Sequence, residues 1–333
     1  CNVLIADSSA EKLNCKFPSN IIYRHLPGLS FTKKIIKVAE TIATKYVCMT
    51  GDDDFLLESS LRTGSNFLDQ NLDFVSVQGR YLTFALTDNE VTHTLKNSNN
   101  EANYAVTAED IYSRLVMAYN PYKDQMVSMH RTNFFIKAFR PCTDFTNHFM
   151  AELATILVPM CYGKHKVLQI LWMVRDSYKF FRPNAYKISE AKKPSASSVY
   201  FGVVGHEKIQ REVGDFLKSR ECQIFKGKFA NEISELVSDD KESDHLFDSA
   251  FKSFDDYIVN DRRKIVIKKI IKMLVPSRVI NYYKAQKRSQ VTNLAQENPA
   301  VKGDFKKIEL SIRAFPEIYT SRSEDQNPKA ETT

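Results

Sequence analysis

Four short apolar runs fall within the first 80 residues, and each is bounded by polar or turn residues. Residues 2–6 end at Asp7-Ser8-Ser9. Residues 21–25 end at Leu26-Pro27-Gly28-Leu29-Ser30. Residues 46–50 end at Gly51-Asp52-Asp53-Asp54, and residues 73–77 form the fourth run. Runs of this length between turn signals predict buried strands. The gaps between them carry helical periodicity. Over 31–44, Ile35, Ile36, Val38, Ala39, Ile42 and Ala43 share one face, behind Ser30 or Thr32 as N-cap, and 56–70 reads as a second helix. Strands separated by helices of this length predict an α/β fold with a mostly parallel sheet flanked by helices.

Further along, the pattern predicts a strand over 81–86, a loop over 97–103 and a helix over 108–119. A strand is expected over 126–130, a helix over 144–162, and a helix or strand over 167–175. The character changes near residue 185. Residues 186–204, rich in Lys, Pro and Ser, read as a linker or loop, and 205–290 as a helical C-terminal region. Residues 291–333 are polar and apolar-poor, and predict a tail that is partly disordered.

At 43% hydrophobic and 26% charged, the composition is that of an ordinary globular protein. The net charge of +7 is modest and unevenly spread, so no nucleic-acid partner is expected. None of the six cysteines has CxxC or Cys–His spacing, which predicts buried free thiols in a reducing compartment rather than a metal site. No apolar run reaches the length of a membrane span, and no signal peptide is recognisable. Cys1 stands directly against an apolar run, from which an earlier strand and helix are expected to be missing.

The sharpest chemical feature is the acidic run Asp52-Asp53-Asp54 at the end of an apolar strand. In open α/β sheets the carboxyl ends of strands are where ligands bind. Adjacent carboxylates repel unless they are solvated or hold a cation. Mg²⁺ or Mn²⁺ takes oxygen ligands and bridges to phosphate, neutralising a diphosphate leaving group. By itself the run is equally a solvated turn or a helix N-terminus, where acids suit the dipole. Asp7 ends a strand in the same way and can accept hydrogen bonds from a base or ribose, or form an Asx turn with Ser8 and Ser9.

Together these residues resemble the nucleotide-binding half of family 2-like glycosyltransferases of the GT-A fold. The resemblance runs over 3–79. It rests on Val-Leu-Ile-Ala-Asp7-Ser-Ser, on Pro27-Gly28-Leu-Ser30 before a helix, on the Tyr46-led strand reaching Asp54, and on Leu72-Asp73-Phe-Val-Ser-Val-Gln-Gly79. It extends more weakly to residue 185, making 1–185 one GT-A-like domain. The resemblance implies that Asp7 faces the nucleobase, with Ser8, Ser9, Gly28 and Lys33 also toward the nucleotide. It implies that Asp52, Asp53 and Asp54 hold a diphosphate through the metal. The family's opening strand is absent here, and Gly51 stands where many relatives have an acid.

An inverting transfer also needs a general base for the acceptor hydroxyl. Relatives place it at the start of a late helix before a Gly turn, which here is 143–153 followed by Tyr162-Gly163-Lys164. Asp144 and Glu152 are both candidates, and Glu152 is favoured because its apolar surroundings raise a carboxyl pKa. His148 lies one helical turn from Glu152. His148 and His165 are each otherwise ordinary structural histidines. Arg175 and Arg182 bind phosphate or simply cover surface.

From Arg262 to Arg288 there are ten Lys or Arg and no Asp or Glu, interleaved with Ile265, Ile267, Ile270, Ile271, Leu274 and Val275. Such a basic amphipathic stretch lies on an anionic membrane surface or packs on its own domain with charges solvated. The expectation is therefore a metal-dependent, inverting transferase. It moves a sugar from a nucleotide-diphosphate donor to a glycan or lipid-linked acceptor. Its expected place is the cytoplasm, peripheral on the inner face of a bacterial plasma membrane, in polysaccharide synthesis. The alternatives are a non-catalytic nucleotide- or sugar-binding module, and a membrane- or polyanion-binding protein. A haloacid-dehalogenase-like phosphatase is disfavoured, because Ser9 stands where its second acid belongs.

Overall fold

A computed structural model describes residues 1–51, 54–87, 90–95, 104–145, 148–176, 206–274 and 299–314. The first half alternates strand and helix as the apolar runs predict. Strand β1 (Val3–Asp7) pairs in parallel with β2 (Ile21–His25), followed by α1 (Phe31–Ala39), β3 (Tyr46–Cys48), β4 (Asp54–Leu56) and α2 (Glu58–Gln70). Then come β5 (Phe74–Thr87), β6 (Glu90–Leu95), β7 (Ala105–Val106), α3 (Ile111–Tyr119), β8 (Met129–Arg131) and α4 (Thr132–Phe139). A short 3₁₀ turn over Pro141–Asp144 leads to α5 (His148–Tyr162) and β9 (Lys164–Asp176). Among the described residues the further helices are α6 (His206–Leu217), α7 (Arg220–Ile233), α8 (Asp240–Leu274) and α9 (Pro299–Ala314).

The expectation of a mostly parallel sheet is corrected. The main sheet has seven strands with the path β3-β8-β5-β9-β4, and β6 and β7 pair off it. Only β5 and β9 run parallel within it; its other described pairings are antiparallel. The physical reason is that alternating strands and helices fix chain order but not neighbours. β8 enters between β3 and β5 running the other way. β3 and β4, consecutive in sequence, stand at opposite ends of the path. The acidic run thus joins two strands that never pair with one another.

Local chemistry explains several boundaries. Asp110 caps α3, accepting from the Ser113 amide at 2.7 Å, as Asp at an N-cap does. The turn from α5 into β9 needs Gly163, where an added Cβ would sit 2.7 Å from Asp73 O and 2.6 Å from Val75 Cγ1. The 167–175 stretch resolves as strand because it is flanked on both sides, by β5 and by β4 and β7.

The largest core lies between helices. Leu115 and Tyr119 of α3 and Phe149, Leu153 and Leu157 of α5 pack with Phe225 and Phe229 of α7 and Phe247, Phe251 and Phe254 of α8. Each such side chain, fully buried, contributes roughly 1.5–3 kcal/mol. The 206–260 helices therefore share one core with α3 and α5. A second core under the sheet centres on Trp172, Val77, Leu68 and Met129. Cys142, Cys161 and Cys222 are buried and free, as expected, whereas Cys1 and Cys15 are exposed.

Within the stretch 291–333, expected as a polar and partly disordered tail, Pro299–Ala314 forms helix α9. In α9, Val301, Phe305 and Ile308 recur at i, i+4 and i+7, a minimal apolar stripe that composition averages away. Residues 186–204, 275–298 and 315–333 lie outside the described residues, as does Arg182. No described helix is long and apolar enough to cross a membrane.

Candidate functional site

Asp7 stands at the end of β1. Its Oδ1 accepts from the Ser9 amide at 2.9 Å and from Ser9 Oγ at 2.7 Å, and Tyr23 of β2 donates to Oδ2 at 2.5 Å. The Tyr23 hydroxyl in turn accepts from the Leu13 amide at 3.0 Å. This is an Asx turn braced by a neighbouring strand. Tyr23, with help from Ser9, holds the Asp7 carboxyl at about 2, below its ordinary 3.8. A pKa depressed on folding stabilises the turn above the unfolded value, and that stabilisation disappears as pH falls through the folded value. The turn is therefore expected to loosen between about pH 4 and pH 2. In an acid titration followed by tyrosine fluorescence, Asp7→Asn should remove this step while leaving the rest of the acid transition in place.

Ser8 Oγ accepts from Lys34 at 3.1 Å, which ties the turn to α1; Lys33 is exposed beside it. Gly28, exposed after β2, has φ +72°, a conformation other residues rarely adopt, so its presence is explained by the turn itself.

At the acidic run, Asp52 and Asp53 lie outside the described residues. Asp54 opens β4 opposite Arg175 of β9. Its carboxylate is 3% exposed and faces Arg175 Nε at 3.1 Å. This alters the expectation that all three acids ligate a metal: Asp54 confronts a guanidinium, whose charge repels a divalent cation. Among the described residues, no group of three or more His, Cys, Asp or Glu side chains converges to hold a metal. Arg175 Nη1 also lies 4.0 Å from Asp124 Oδ2, and the guanidinium stands 5.8 Å from the centre of the Tyr81 ring. Burial would lower the Arg175 pKa, but the Asp54 and Asp124 charges outweigh it and raise it.

Glu152 lies in the first half of α5, 2% exposed, and accepts from the Tyr122 hydroxyl at 3.0 Å. Tyr122 is itself 4% exposed. Burial, then the charges of Glu152 and Asp124, push its hydroxyl well above the usual tyrosine range, so it stays a donor. Asp144 ends the 3₁₀ turn before α5; its side chain and that of His148 are outside the described residues. His165 is fully buried, its Nδ1 hydrogen-bonded with Ser76 Oγ at 2.8 Å, and burial pushes it down to about 3. It is a neutral core residue.

Asp54 pairs with Arg175, which the sequence already singled out, whereas Asp124 and Tyr122, the further partners of Arg175 and Glu152, went unread. Asp54 meets Arg175, Arg175 meets Asp124, and two residues earlier on the same loop Tyr122 meets Glu152. A single arginine closing an apolar strand was the signal for Arg175. Asp124 and Tyr122 sit in an irregular loop that offers no periodicity. The contacts of the Asp7 turn run instead to β2 and α1.

No family model and no curated protein matches this chain. Among solved structures it is similar to the 1–349 fragment of S. aureus TarS in complex with UDP-GlcNAc, at 13% identity and a TM-score of 0.34, over 74% of this chain and 76% of that one. The same fragment in complex with UDP gives 13% identity and a TM-score of 0.34, over 74% and 75% of the two chains.

Proposed function

We propose that the chain is a nucleotide-sugar-dependent glycosyltransferase. It moves a sugar from a nucleoside-diphosphate donor to a glycan or lipid-linked acceptor, with inversion. The observation that carries this reading is a pair of buried polar contacts around one loop: Asp54 and Asp124 face Arg175, and Tyr122, two residues before Asp124, donates to Glu152 of the helix assigned the base. In this reading Asp7 with Ser8 and Ser9 receives the nucleoside, and Asp52 and Asp53 hold the donor diphosphate. A divalent metal bound there supplies charge neutralisation for the departing diphosphate. Arg175 holds Asp54 in register and places positive charge beside the run. Glu152 takes the acceptor proton, and the Tyr122 hydrogen bond orients its carboxylate. The ten Lys or Arg of 262–288 supply charge for binding an anionic membrane surface, which suits a lipid-linked acceptor at the cytoplasmic face.

A second reading, nucleotide binding without turnover, draws on the burial of Glu152. The two separate in one assay: UDP- and GDP-sugars with Mn²⁺ and a hydroxyl-bearing glycan acceptor, following nucleoside diphosphate release. Release that chelation abolishes supports the transferase. Tight nucleotide binding with no release from any donor supports the module.

A further inference from the structure

Helix α9 rests on the segment that follows the acidic run. Its stripe Val301, Phe305 and Ile308 packs with Phe55 of β4, with Leu57, and with Leu82, Leu171 and Val174 of the sheet. Beside the stripe is Asp304. Helix α2 has Leu57 as its N-cap, a side chain with no acceptor, so the first amides of α2 lack the usual local cap. Asp304 supplies it across 245 residues of sequence: its Oδ2 accepts from the Ser59 amide at 2.9 Å. A carboxylate here also suits the positive end of the helix dipole. Its other oxygen lies 3.8 Å from the exposed Lys307 ammonium.

Three contacts fix the start of α2. The Leu57 amide donates to Trp172 O at 3.1 Å, Ser60 Oγ donates to Leu171 O, and the Ser59 amide donates to Asp304. Two of them come from β9 and the third from α9. β4 ends one residue before Leu57 and begins at the last residue of the acidic run. Any fraying at Ser59 therefore passes within a few residues to the carboxylates. We propose that Asp304 is a positioning residue for the acidic run: by capping α2 from α9 it holds β4, whose first residue, Asp54, closes that run. Its catalytic consequence rests on the transferase reading; its structural effect does not.

The test is amide hydrogen exchange on the full chain carrying Asp304→Ala or Asp304→Asn, paired with titration of UDP and Mn²⁺. Loss of a cap should speed exchange across 54–61 by about ten-fold in Asp304→Ala, with α5 unchanged. Asp304→Asn, which keeps an acceptor oxygen, should recover much of the protection. The UDP–Mn²⁺ dissociation constant should rise by about ten-fold in the alanine variant and less in the asparagine variant. Unchanged exchange across 54–61 overturns the proposal, as does faster exchange there with unchanged nucleotide affinity. Should the unmodified chain bind no nucleotide, that failure falls on the transferase reading, and exchange across 54–61 still decides whether Asp304 positions the run.

Discussion

Glu152→Gln is expected to lower turnover of the nucleotide-sugar by about 10²–10⁴-fold, the usual contribution of a general base. The fold should survive the change. Gln has nearly the same volume, and its Oε1 still accepts from the Tyr122 hydroxyl that now reaches Glu152 at 3.0 Å. Replacing a buried carboxyl by an amide also removes a group that is costly to ionise in an apolar setting. Loss of activity with an unshifted urea midpoint therefore assigns the effect to proton transfer. The measurement is nucleoside diphosphate release beside an unfolding curve. Full activity in Glu152→Gln would move the base to Asp144, and Asp144→Asn is the companion variant.

The second large effect is on stability. Arg175→Met removes the cation facing Asp54, which is 3% exposed, and Asp124, which is 14% exposed. Arg175 itself is 20% exposed, so the pair is largely desolvated. Breaking a buried pair by removing one partner typically costs about 3–5 kcal/mol, because the remaining charge stays buried without the cation that faced it. A lower urea midpoint at unchanged slope should report it. The double variant Arg175→Met with Asp54→Asn should recover much of the loss, since the stranded charge is gone. A double variant no more stable than the single one would assign the cost to lost Arg175 packing over Tyr81 instead.

Some of this was legible in the sequence and some was not, for identifiable reasons. The strands at 3–7, 21–25 and 46–48 were visible because short apolar runs between turn residues have few other solutions. The helix over 148–162 was visible because its apolar residues are nearly continuous. Sheet order was not visible, because pairing partners such as Met129–Arg131 for Tyr46–Cys48 lie some 80 positions away and leave no local mark. The role of Asp54 was hidden for the same reason: its partner Arg175 is 121 positions distant. Asp7 shows the opposite case. Its tripeptide with Ser8 and Ser9 spells an Asx turn, and that turn is what forms, whatever ligand the turn also receives. Helix α9 escaped because its apolar residues are diluted by charged ones in the composition, although the spacing of Val301, Phe305 and Ile308 does register.

The most direct test of the central claim is calorimetric titration of UDP and GDP, with and without Mn²⁺, on this chain and on Asp52→Asn/Asp53→Asn. Asp54 is left in place so that its pair with Arg175 stays intact. The transferase reading predicts nucleotide binding that requires Mn²⁺ and is lost in the double variant. Binding that ignores both the metal and the two substitutions, or no binding of either nucleotide under any of these conditions, would contradict it.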